Sequence, residues 1–228
     1  MSFAVAVKNP IVASFGGNRD SQASDGGSYF YAQTPTPGTG IIGTASVQAL
    51  VETTPTVVLY NAGPFSVYPM LFRSHITVIA ADATPLTSAW TITMDVGNRY
   101  TSGGTVLAID NISGNTPYGT KSGAFVAVGA IIATAKTPSR RIIGQVTSKD
   151  TVLEVVHDTM TWSWGDTLTS YAESVISNAA TPAPTYANYS FAPCVIGPNC
   201  SMVIVNWGTS GTNSTASTRE YYLSWVEK

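Results

Sequence analysis

The chain has 228 residues, 44% of them hydrophobic, which is enough to bury a large core and excludes wholesale disorder. Charged residues are only 11%, under half of the roughly 25% usual for a soluble domain, while Thr and Ser together fill about a quarter of the chain. A net charge of −2 with a pI near 5.6 argues against a dedicated nucleic-acid binder, which needs clustered Lys and Arg to neutralise phosphates.

Strands are favoured throughout, because Thr suits a pleated strand and the best surface helix formers are scarce. Met1 to Val12 is mildly apolar but interrupted by Lys8, Asn9 and Pro10, and it lacks the basic start and longer apolar run of a secretory signal. No stretch approaches the ~18 consecutive apolar residues of a membrane helix. The expectation is a cytoplasmically made chain with no membrane partner.

Residues 13–40 are poor in apolar residues, carry Gly-Gly at 16–17 and 26–27, and end in a Thr-Pro-Thr-Pro-Gly run. Residues 1–40 therefore read as an extended N-terminal arm, and residues 41–228 as the folded domain. Tyr29, Phe30 and Tyr31 are the partner-binding candidates, since three consecutive aromatics suit the anchors of a docking arm. The same residues also fit an N-terminal strand and surface loop of the domain itself.

Val47, Ala49 and Val51 alternate with polar residues, predicting a half-buried strand. Thr56–Tyr60 is a β-branched run closed by the turn cluster Asn61-Ala62-Gly63-Pro64, and Val67–Ala81 holds one or two strands with Pro69 at an edge or bend. Trp90, Ile92, Met94 and Val96 share one strand face, and Gly97-Asn98 begins a loop into Thr105–Asp110 that predicts a hairpin. Phe125–Ala135 is apolar on both faces, as in a strand between layers or at an interface. Ile142–Val146 and Val152–Val156 are expected as two strands joined by Thr147-Ser148-Lys149-Asp150. Tyr171–Asn178 reads as a short helix or loop and Thr181–Ala187 as a Pro/Ala-rich crossing, before two closing strands at Met202–Trp207 and Tyr221–Trp225. About nine evenly spaced strands predict an all-β fold, an antiparallel β-sandwich or jelly roll.

No catalytic fingerprint stands out. Gly114 to Ser122 imitates a phosphate loop, but Thr120 separates Gly119 from Lys121 and a strand follows. His157 and Asp158 would project to opposite faces of a strand, and His75 alternates with Arg73 and Thr77 as on a solvated face. Glu154 with Glu173, or Asp95 with Asp110, could face one cleft as a glycosidase requires, yet no spacing selects them. Trp162 and Trp164 on one strand face, with Tyr186 and Tyr189, fit either a sugar platform or core packing. Cys194 and Cys200 read as two unpaired thiols that could meet across their turn, and no His stands at zinc-ligand spacing from them.

Three stretches together carry a resemblance: Thr54-Pro-Thr-Val-Val-Leu-Tyr-Asn61, Asp95-Val-Gly-Asn-Arg99-Tyr100-Thr-Ser-Gly103-Gly104-Thr105, and Pro193-Cys-Val-Ile-Gly197-Pro198-Asn199, with a chain end at Trp225-Val-Glu227. The chain resembles virion structural proteins of tailed bacteriophages, particularly the jelly-roll decoration (cement) proteins that sit on the head shell as trimers. Asn199 stands where that pattern has Gly, and Asn tolerates the positive φ such a turn needs. The resemblance implies a non-enzymatic structural role on the capsid surface, no cofactor, and two partners: further copies of the chain as a homotrimer, and the major capsid protein. Other virion roles (tail component, receptor binder, major capsid jelly roll) and a carbohydrate-binding sandwich module are the alternatives. Residues 1–40 contain only Lys8 and Arg19 as basic residues, which counts against a genome-facing capsid arm.

Overall fold

The computed structural model describes residues 28–45, 47–79, 86–112, 121–152, 154–165, 186–210 and 216–228. They form thirteen strands and, among the described residues, no helix. In chain order these are β1 (Tyr29–Gln33), β2 (Ile41–Ile42), β3 (Val57–Asn61), β4 (Val67–Val78) and β5 (Leu86–Val96). Next come β6 (Tyr100–Val106), β7 (Ile109–Asn111), β8 (Ala124–Ala133) and β9 (Arg141–Val152). The last four are β10 (Thr159–Trp164), β11 (Tyr186–Phe191), β12 (Cys200–Ser210) and β13 (Thr218–Glu227).

The strands make two sheets packed as a sandwich. A seven-stranded sheet runs β11-β10-β4-β13-β1-β7 with β2 added on β13, and a six-stranded sheet runs β6-β8-β3-β12-β5-β9. All pairings are antiparallel except β10 with β11. The expected all-β antiparallel sandwich is what the chain forms.

Period-two alternation sets the layers. Phe30, Phe72, Trp162, Leu223 and Trp225 point inward from the seven-stranded sheet and meet Leu59, Trp90, Ile92, Val126 and Met202 of the six-stranded one. Trp162 lies on Phe191 at 4.5 Å between centroids, and Phe72 on Trp90 at 5.8 Å. At roughly 25 cal/mol per Å² of apolar area, these large side chains dominate the stabilising term. Gly144 makes the close approach possible: a Cβ there would stand 2.3 Å from a ring carbon of Trp162. Gly144→Ala is expected to destabilise the fold by about 1–3 kcal/mol through overpacking. An unchanged urea midpoint would contradict this packing.

The six-stranded sheet has a second, outer core, made by Val58, Ala127, Ile131, Val203 and Val205 and overlaid by Leu50, Tyr60, Tyr100, Phe125 and Trp207. This explains why Phe125–Val128 is apolar on both faces, since that part of β8 is covered on each side by its own chain, whereas Ile132 further along is 55% exposed. It also explains two fully buried threonines, Thr91 and Thr93, on the outer side of β5, where Thr91 Oγ1 accepts the indole N–H of Trp207 at 2.9 Å.

Several expected elements fold differently. Residues 47–56 form no strand; the segment is a loop laid over the outer core, tied by Gly208 N–H to the Val47 carbonyl and Ala133 N–H to the Thr53 carbonyl. The hairpin expected after β5 is absent, since β6 pairs with β8. Gly103 and Gly104, both at positive φ, bring β6 so close to β8 that a Cβ at either would stand 2.6 Å from a carbonyl oxygen. Thr147–Asp150 is no turn, because β9 runs through it as an edge strand paired to β5 across register shifts. Residues 171–178 lie outside the described residues, and the crossing expected at Thr181–Ala187 is described only from Tyr186, where β11 begins. Pro69 lies beyond the last β10 partner, Leu71, so its missing N–H removes no bond on that side.

The boundary at residue 40 needs correction. Residues 29–33 are not arm but β1, hydrogen-bonded between β13 and β7 inside the seven-stranded sheet. A strand alternates its side chains, so three consecutive aromatics go out, in and out. Residues 1–27 lie outside the described residues.

Candidate interaction surface

The alternation that buries Phe30 and Trp225 presents Tyr29, Tyr31, Arg73, His75, Thr161 and Tyr222 on the outer face of the seven-stranded sheet. Register brings them together: Tyr222 is opposite Arg73 on one side and Gln33 on the other, and Thr161 is opposite Arg73 and Asn188. The rings of Tyr31 and Tyr222 stack at 6.1 Å with planes 16° apart, and the Arg73 guanidinium caps Tyr222 at 5.9 Å. Tyr29 donates its hydroxyl hydrogen bond to Ser224 Oγ at 3.2 Å, and the tyrosines cover Ser224 so that it is 2% exposed. Burial, and then the neighbouring Tyr29 and Tyr31, push the Tyr222 phenol upward, so it stays a neutral hydrogen-bonding group at pH 7. The result is a ridge of ordered aromatic rings and amphipathic hydroxyls flanked by Arg73 and Glu220, with Thr161 and Asn188 farther out on the same face. Such groups offer contact area at low entropic cost.

Of the three expected docking residues, Tyr29 and Tyr31 are on this face and Phe30 is not. Phe30 is 2% exposed and stacks on Trp225 at 6.3 Å, so it belongs to the core. Tyr222 and Arg73 complete the face and were not singled out in the sequence.

The remaining candidates have structural duties. Asp95 and Arg99 form a buried ion pair at 2.7 Å on the outer side of the six-stranded sheet. Arg99 also donates to the Thr134 carbonyl at 2.9 Å and the Glu52 carbonyl at 3.2 Å, while Glu52 pairs with Arg140. The cluster clamps two loops to the sheet. Asp110 is on β7 in the other sheet, so Asp95 and Asp110 face no common cleft. Glu154 is engaged with Arg219 and Ser217, both at 2.6 Å, and Glu173 lies outside the described residues. Most of the phosphate-loop lookalike also lies outside them.

Trp162 and Trp164 point into the core and form no sugar platform; Tyr186 is exposed on the edge strand β11. The Tyr189 hydroxyl donates to the Thr147 carbonyl at 2.6 Å. Asp158 lies in a turn, not a strand, and its carboxylate accepts the Val155 N–H at 2.7 Å. Cys194 and Cys200 are free thiols, and burial pushes Cys194 up to about 12, leaving it protonated and unreactive. Asn199 adopts φ 57°, the conformation its turn requires.

Burial would raise the Asp95 carboxyl, but hydrogen bonds from the Thr137 side chain and N–H, the Val96 N–H and Arg99 outweigh it and hold the group below its ordinary value. A depressed folded-state value contributes stability above the unfolded value, near pH 4, which is lost as the pH falls through the folded one. The thermal midpoint is therefore expected to fall below about pH 4, with a shallower acid limb in Asp95→Asn. Identical acid limbs in the two proteins would contradict the assignment.

No known family model, no curated protein and no solved structure matches the chain.

Proposed function

We propose that the chain is a structural virion protein that binds the outside of a phage head and stabilises the shell, using the outer face of the seven-stranded sheet as its docking surface. The observation that carries this reading is the face itself. Its stacked tyrosines and capping arginine stay open among the described residues, while the centre of the other sheet's outer face, over Val58, Ala127 and Val203, is covered by side chains of the chain itself. The resemblance in the three sequence stretches supplies the head as the site, the major capsid protein as partner and a homotrimer as the assembly. Because β8 and β13 are interior strands, subunit contacts would use the Tyr31–Tyr222 face or the loops instead.

The test is co-sedimentation of the purified chain with expanded heads that lack it. Saturable binding that Tyr31→Ser with Tyr222→Ser weakens at least tenfold, at unchanged thermal midpoint, supports the proposal. A stable monomer that ignores heads contradicts it.

A second reading, a carbohydrate-binding module, draws support from the hydroxyl of Thr161 and the amide of Asn188, which lie on the same face as the tyrosine rings, across Arg73 on β10 and β11. Saturable binding to an arrayed glycan, lost in the same double variant, would select it.

A further inference from the structure

The chain contains two histidines, 82 positions apart, and the fold brings them into contact. His75 projects from β4, and His157 sits in the turn between β9 and β10. Nδ1 of His157 lies 3.4 Å from Nε2 of His75, with ring centroids 5.4 Å apart. The nitrogens are much closer than the centroids, so the rings meet edge to edge through nitrogen.

The hydrogen-bond network assigns the tautomer. Thr159 donates its single hydroxyl proton to the His157 carbonyl at 3.1 Å, so its oxygen accepts from Nδ1 of His75 at 2.8 Å. Nε2 of His75 then accepts the Nδ1–H of His157 at 3.4 Å, and an ion bound between the two nitrogens would displace that one proton to solvent. A ligating histidine is commonly fixed in this way, through a hydrogen bond from its other ring nitrogen.

The turn is held in a costly shape. His157 has φ 76°, a region a bulky residue adopts only where its surroundings enforce it. Here the enforcing bonds are His157 N–H to the Ile76 carbonyl and Ile76 N–H to the Asp158 carbonyl, both at 2.9 Å. Two nitrogens bound at about 2.0–2.1 Å to one tetrahedral ion stand about 3.3–3.4 Å apart. The observed separation matches that bite.

We propose that His75 and His157 form a binding site for a borderline divalent transition ion, Zn(II), with its remaining coordination positions open. Among the described residues no group of three or more ligating side chains forms, so water, or a carboxylate of a neighbouring molecule, completes the shell. The inference does not depend on the structural role proposed above.

The test is calorimetric titration of Zn(II) into the metal-free full chain at pH 7.5, with His75→Gln, His157→Asn and Thr159→Val beside it. Asn suits the left-handed turn, and Thr159→Val removes the orienting bond without removing a ligand. One ion per chain is expected, weakened at least tenfold in each histidine variant and about tenfold in Thr159→Val. Co(II) in the unmodified chain should give ligand-field bands of nitrogen and oxygen donors without thiolate charge transfer. Absence of Zn(II) binding, unchanged affinity in both histidine variants, or a thiolate band placing the ion at Cys194 and Cys200 would each overturn the site. The Co(II) spectrum decides the matter even if a variant fails to fold.

Discussion

Arg99→Met is expected to destabilise the protein by about 3–5 kcal/mol, because it leaves a carboxylate buried without its counter-ion. Arg99 is 1% exposed and Asp95 3%, so water cannot replace the lost donor. The substitution also strips donors from the carbonyls of Glu52 and Thr134, which anchor the 47–56 loop and the segment leaving β8. Urea unfolding at pH 7 measures the loss. A double variant, Asp95→Asn with Arg99→Met, should recover part of it, since the orphan charge is then gone. A single-variant loss below about 1 kcal/mol would show that the pair is solvated and that the loops are held otherwise.

Trp162→Ala carries a similar expected cost, about 3–5 kcal/mol, for a different reason. Its ring is fully buried, rests on Phe191 at 4.5 Å and fills the space above Gly144. Truncation opens a cavity bounded by both sheets, and the backbone of β9 cannot close it without breaking its pairing to β5. Trp162→Phe should cost markedly less, because among the described residues the indole N–H makes no hydrogen bond and only volume is lost. Equal destabilisation by Phe and Ala would mean that the indole N–H, not the packing, matters.

The layers were legible where one sheet face is covered by the opposite sheet. Trp90 and Ile92 were read as one strand face, and both point into the core. Alternation misled at Val47, Ala49 and Val51, because a loop that seals an outer core needs apolar contacts as a strand does. The hairpin after β5 failed because strand pairing is a long-range choice, here decided by two glycines that fit β6 against β8. Clustering marks Tyr29 and Tyr31 in the sequence, and the alternation of β1 puts both on the outer face. It does not mark Tyr222 and Arg73, since adjacent Tyr221 and Tyr222 look equivalent until register turns one inward and one outward. The His75–His157 contact needed the pairing of β4 with β10, which no local pattern encodes.

The docking claim is tested most directly by hydroxyl-radical footprinting of the full chain, free and saturated with expanded heads. Binding through the outer face of the seven-stranded sheet predicts loss of oxidation at Tyr31 and Tyr222, with Phe65, 58% exposed between β3 and β4, unchanged. Unaltered oxidation of both tyrosines in the bound state, or protection confined to Phe65, would contradict it.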